Sequence, residues 1–169
     1  MKVIGEATAV LNVCINNVPE WPSQTFPENT TTLSGNELSQ LIAVNSNHWR
    51  KIFNVYAKLL HAINPKNTDD WRQVRDHRLL QAGNQHALTL GTPRLEQPLK
   101  SLTLIAGKQF AENLGVLTNA QEIHPGIYRP SINNCLVVPY FDYRALSDKK
   151  IAWLADEIRG QWPQISSQA

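Results

Sequence analysis

Asn16 and Asn17 follow an apolar run, Ala9 to Ile15, and are the first residues in the chain suited to chemistry. A side-chain amide has one donor and one acceptor face, so the pair can orient a water or read a base edge. Asn is equally a common turn former. Two later apolar runs also end at polar residues. Leu99 to Ala106 leads into Gly107 and Lys108, where a strand-to-helix turn could receive an anion or could simply be a tight turn with a surface lysine. Cys135 to Pro139 leads into Tyr140, Phe141, Asp142, Tyr143 and Arg144. A carboxylate among two phenols and a guanidinium can bind a ligand or activate water, or form a structural Asp–Arg pair that orders a loop. The catalytic candidates are therefore Asn16 and Asp142. The candidate substrate-binding residues are Asn17, Gly107, Lys108, Tyr140, Tyr143 and Arg144, together with Asn84 in the polar stretch before His86. Trp21 and Phe26 lie in a loop close behind Asn17, and base–aromatic stacking contributes about 1–3 kcal/mol per base. His124 reads as a lone loop histidine, and His48, at a helix start, as packing or capping.

Other chemistries find little support. Gly107-Lys108 lacks the G-x-x-x-x-G-K-[ST] loop, and G-x-G-x-x-G does not occur, so no nucleotide cofactor is implied. There is no G-x-S-x-G elbow. The two cysteines, Cys14 and Cys135, lie in apolar runs and read as reduced core thiols. Without C-x-x-C or H-x-x-x-H, no metal site is expected. The net charge is +2, and the pI is about 8.6. That balance permits a polyanionic partner, but Lys and Arg are scattered along the chain and do not form a basic stripe. No apolar run approaches the roughly 20 residues of a membrane span. The amino terminus lacks the apolar core of a signal peptide. A cytoplasmic protein with no membrane contact and no cofactor is expected.

The elements that must position these residues follow from periodicity. The chain has 169 residues, 42% of them hydrophobic and 18% charged, enough for one α/β domain with a sizeable core. Residues 1–8 could form a short strand or an arm. Residues 9–15 read as a strand buried on both faces. A long loop, 18–33, follows. A helix is expected from Ser34 or Gly35 to about Val44. A second, clearly amphipathic helix is expected from Asn47 to about Ile63, capped by Asn45 or Asn47. Thr68 is expected to cap a third, with Asp69 and Asp70 in its first turn. The segment Leu79 to Leu90 could be a strand or a broken helix. A strand over 99–106, a helix over Gln109–Leu114, a loop with at most a short strand over 116–134, and a strand from Cys135 come next. Ser147 caps a last helix, and a frayed tail is expected over 163–169. The expectation is a three-layer α/β/α fold with a central, mostly parallel four-stranded sheet and five helices.

In order, these features resemble the uracil-DNA glycosylase superfamily, nearest its mismatch-specific (G:T/U) branch. Cys14-Ile15-Asn16-Asn17-Val18 occupies the place of that family's first motif, Gly-x-Asn-Pro-Gly or Gly-x-Asp-Pro-Tyr, without its Pro and Gly. Asn47-His48-Trp49 is similar to Asn-x-Phe-Trp, and Gly107-Lys108-Gln109-Phe110-Ala111 to a Gly–Lys-x-Ala helix start. Val137 to Arg144 fits the frame of the last motif, with Asp142 in the place of the family histidine. A second register lays His124-Pro125-Gly126 on that motif instead. The resemblance spans about residues 8–160. It implies base flipping and hydrolysis of an N-glycosidic bond. Asn16 would position water, and Trp21 or Phe26 would stack on the base. Gly107 and Lys108 would touch phosphate, and Asp142 to Arg144 would form a closing lip. DNA, or a nucleobase or nucleotide, is the implied partner. A catalytically inactive binder of the same kind and an unrelated small-molecule enzyme are the alternatives.

Overall fold

A computed structural model describes residues 2–23, 27–64, 70–96 and 99–166. Among them the strands are β1 (Lys2–Gly5), β2 (Leu11–Ile15), β3 (His86–Leu90), β4 (Leu102–Ala106), β5 (Gln121–His124), β6 (Ile127–Arg129) and β7 (Cys135–Val138). The helices are α1 (Gly35–Val44), α2 (Asn47–Ile63), α3 (Trp71–His77), α4 (Lys108–Asn113), α5 (Asp148–Gln161) and α6 (Pro163–Ser166).

The fold is α/β, but the expected four-stranded sheet is corrected to a mixed sheet of seven strands, ordered β1-β3-β2-β4-β7-β6-β5. The strands β3, β2, β4 and β7 run parallel. On one edge β1 adds antiparallel to β3. On the other, β6 adds antiparallel to β7, and β5 to β6. The added strands are short and only partly buried. They lack the apolar runs that mark the centre of the sheet, so periodicity does not reveal them. Pro125-Gly126 is the turn between β5 and β6, and Gly126 has φ 82°, as the third position of a type II turn requires. His124 therefore sits beside a hairpin turn, stacked on Trp153 with centroids 5.5 Å apart.

Side chains alternate across the parallel strands. Leu11, Val13, Ile15, Leu104, Leu136 and Val138 face the larger core, which α1, α2, α3, α5 and α6 cover. Cys14, Ile105, Cys135 and Val137 face a smaller one, covered by Phe110 and Ala111 of α4 and by loop residues. The helical layers are thus very unequal. In α2, Trp49, Ile52, Phe53, Tyr56, Leu59, Leu60 and Ile63 are buried at three- and four-residue spacing. Each such side chain contributes about 1.5–3 kcal/mol on burial. Cys14 and Cys135 are free and lie on strands separated by β4, about two 4.8 Å spacings apart and beyond disulfide reach. Burial pushes both thiols up to about 12, and Cys135 adds to the rise at Cys14. These are inert core residues.

The caps differ in part from expectation. Ser34 and Glu37 form a capping box at α1. At α3 the cap is Asp70, which accepts from Arg72 N and Gln73 N at 2.9 and 3.1 Å; Thr68 and Asp69 lie outside the described residues. Ser46 holds the cap position of α2 without a side-chain bond. Asn45 instead exchanges two 2.8 Å hydrogen bonds with the Glu20 backbone and ties the 18–33 loop to the α1–α2 corner. In the expected tail, Pro163–Ser166 forms a helical turn with Ile165 buried.

His86 opens β3 and is 2% exposed. Its Nε2 accepts from Leu80 N at 2.8 Å, so the ring proton lies on Nδ1. That atom has no partner among the described residues. Burial pushes the imidazole pKa down to about 4 from an ordinary 6.5. Because the folded value is below the unfolded one, the native state is fully favoured above pH 6.5 and loses stability as pH falls towards 4. That gap corresponds to about 3 kcal/mol. Urea titrations from pH 6.5 to pH 4 should show His86→Gln, which keeps an acceptor for Leu80 N, losing about 3 kcal/mol less than the parent. Equal losses would contradict a neutral, buried His86.

Candidate functional site

Parallel strands end on the same side, and β2, β4 and β7 bring three of the polar stretches together. Tyr140 is the residue they share. It follows β7 and is half-buried. Its hydroxyl lies 2.8 Å from His48 Nε2 at the start of α2, and the two rings stack with centroids 5.4 Å apart. The Asn17 side chain, just past β2, lies close enough to the phenol to influence it. Asn17 Oδ1 accepts from Val18 N at 2.9 Å, and its amide N–H group remains available as a donor. The Tyr140 hydroxyl and His48 Nε2 share one hydrogen bond, whose direction follows the imidazole tautomer. From β4, Gly107 completes the group with φ 108°. A Cβ there would meet Tyr140 Cδ2 at 3.4 Å, an ordinary contact, so it is the positive φ of the turn that calls for glycine. Burial raises the phenol pKa, the nearby Asn17 amide opposes the rise and the Asp142 carboxylate adds to it. Tyr140 is therefore a neutral hydroxyl, able to donate and accept.

Beside it lies a charged rim. Asp142 Oδ1 accepts from Arg144 N at 2.8 Å, and Asp142 Oδ2 pairs with Lys51 at 3.9 Å. Lys51 also lies 4.9 Å from the Tyr143 ring centroid, with Arg144 5.9 Å away. Tyr143 is 49% exposed, an accessible aromatic face flanked by cations. His48 and Lys51 are one helical turn apart, so both project from the same end of α2.

The expected site residues divide accordingly. Asn17, Gly107, Tyr140, Asp142, Tyr143 and Arg144 cluster at the carboxyl ends of the strands. Asn16 is exposed there, with no side-chain partner among the described residues. Lys108 is exposed as well, its ammonium 5.8 Å from the Tyr128 ring. Trp21 is half-buried and packs against the larger core, which sets it apart from a free stacking ring. Phe26 lies outside the described residues. Asn84 is at the opposite end of the sheet, before β3, and donates to Gln81 O and Ala82 O in its own turn. His48 and Lys51 were not among the expected site residues. The available signal was their i, i+3 spacing off the apolar stripe of α2, but nothing in the sequence placed that helix end beside Tyr140. Among the described residues no three His, Cys, Asp or Glu side chains converge as a metal site would require.

A neutral phenol between an amide and an imidazole can pass a hydrogen bond to a bound ligand or move a proton between ligand and His48. A double-mutant cycle of Tyr140→Phe and His48→Ala, read by urea unfolding, should give a coupling of about 1 kcal/mol, the usual net worth of such a bond. Additive effects would contradict the hydrogen bond.

No helix among the described residues is long and apolar enough to cross a membrane. No curated protein and no solved structure matches the chain. A family model described as "Family of unknown function (DUF6942)" matches residues 2–159, and the chain belongs to that family.

Proposed function

We propose that this protein binds DNA at the carboxyl ends of β2, β4 and β7 and hydrolyses an N-glycosidic bond of a base held there. The supporting observation is the Tyr140–His48 hydrogen bond with the Asn17 amide beside it, next to an exposed aromatic ring and two cations. A flipped base needs hydrogen bonds to its edges and a flat apolar face. The amide and phenol supply the first, and Tyr143 the second. Lys51 and Arg144 offer positive charge to the phosphate backbone.

In the reaction, the oxygen of water bonds to the sugar carbon as the glycosidic bond breaks, the bonding pair leaves with the base, and the proton that the water gives up ends on the base anion by way of solvent. Asn16 orients the water. Donors at the base edge stabilise the departing anion, as preorganised hydrogen bonds do, and the Tyr140–His48 pair is placed to supply them. An Asp142 carboxylate would oppose that charge. Here Lys51 and Arg144 N face it, which reduces the repulsion. The histidine chemistry that the resemblance assigns to the last strand would come from α2.

A second reading has one specific observation in its favour. Asn16 has no partner among the described residues, so no neighbouring group fixes its amide where a water would be held. DNA binding without hydrolysis follows from that. Duplexes carrying uracil or a G:T mismatch separate the two. Release of free base, slowed about 100-fold or more by Asn16→Ala and by His48→Ala with little change in binding, is the expected result. Salt-sensitive binding without base release in the parent would establish the second reading. Absence of binding at low salt would overturn both.

A further inference from the structure

The connection from β3 to β4, residues 91–101, returns across the sheet without a helix among its described residues. Its Leu95 and Leu99 pack with the smaller core, so it passes over the face opposite α2. Crossovers between parallel strands usually carry a helix, and parallel sheets are usually covered on both faces. Among the described residues the cover stops short of β1, β3 and the amino half of β2. A hollow of about 220 Å³ remains, lined in part by Asn12, Thr89, Thr103, Ser101, Glu6 and Arg94.

Its floor is polar where a parallel sheet is ordinarily aliphatic. Thr89 Oγ1 donates to Asn12 Oδ1 at 3.0 Å. Asn12 Nδ2 makes only a 3.6 Å contact with Cys14 Sγ, which leaves an amide hydrogen for another acceptor. Thr103 is 4% exposed, and its hydroxyl has no partner among the described residues. The hydroxyl is not among the fully enclosed unpaired atoms, so it opens into the hollow. A hydroxyl sequestered from bulk water and left unpaired costs about 1–3 kcal/mol, a cost that a ligand's acceptor would offset. The walls carry opposite charges that do not pair with each other. Arg94 has no hydrogen bond or ion pair among the described residues. Glu6 Oε1 accepts from Gly83 N at 2.7 Å, and its second oxygen is left over.

We propose that this hollow binds a small zwitterion of the α-amino-acid class, its carboxylate on Arg94 and the Ser101 and Thr103 hydroxyls and its ammonium on Glu6. The volume holds roughly seven waters and is below the 300–1,000 Å³ or so of a drug-sized pocket, which excludes a whole nucleotide. Guanidinium and carboxylate pair through two parallel hydrogen bonds. A plain anion would leave Glu6 facing like charge, whereas a zwitterion satisfies both walls. The site is on the sheet face, away from Tyr140, and is independent of the DNA-binding reading.

The test is an amide chemical-shift titration of the full chain with the common L-amino acids, one at a time at millimolar concentration. At least one should perturb Asn12, Thr89 and Thr103. Its affinity should fall about tenfold or more in Arg94→Ala, in Glu6→Gln, and when its amine is acetylated or its carboxylate amidated. Arg94 is exposed and Glu6 half-buried, and unchanged spectra of both variants without ligand would show that they fold. Silence with every amino acid overturns the proposal. So does equal binding of acetate or the N-acetyl derivative, or binding that survives both substitutions.

Discussion

Parallel strands cannot be joined by tight turns, and the arrangement of this molecule depends on that constraint. Each of β2, β3 and β4 must be followed by a connection that carries the chain back across the sheet before the next strand can run parallel. All four carboxyl ends therefore fall along one edge, and ligands in open α/β sheets bind outside that edge. Residues far apart in the chain, Asn17, Gly107 and Tyr140, meet for this reason. The buried seam of α2 holds its first turn beside them and delivers His48.

The same connections leave the two faces of the sheet differently covered. Five helices bury one face, and α4 with loops buries part of the other. Where the cover fails, the strands present Asn12, Thr89 and Thr103 in place of aliphatic residues, and a hollow forms. At the carboxyl edge, partial burial keeps Tyr140 neutral while its hydroxyl stays bonded to His48. Both places combine polar groups with restricted water, where hydrogen bonds to a ligand count for most. They differ in charge. The edge gathers Lys51, Lys108 and Arg144, whereas the hollow sets one Arg against one Glu.

Strong apolar runs carried most of what could be read in advance. The strands at 11–15, 102–106 and 135–138 and the helix over 47–63 stand where periodicity puts them, because buried parallel strands and amphipathic helices have no other use for such runs. β1 was legible only as a short strand or an arm, and the β5–β6 hairpin only as a loop with one short strand, because short strands at or next to a sheet edge tolerate polar residues such as Gln121 and Glu122. At the site, turn residues that follow a buried strand could be picked out from local pattern. Asn84 misled because a polar turn before a strand looks the same as one after it. His48 was dismissed because a helix start gives no measure of its distance from another strand's end. The polar floor at Asn12 and Thr103 was hidden within apolar runs whose single polar residues looked incidental.

Backbone amide shift mapping with a uracil-containing DNA duplex at low salt is the most direct measurement. Perturbations concentrated at Asn16–Asn17, His48–Lys51, Gly107–Lys108 and Tyr140–Arg144, and lost as salt is raised, are the expected result. Shifts confined to other surfaces, or none at saturating DNA, would contradict a DNA site at the carboxyl edge of the sheet.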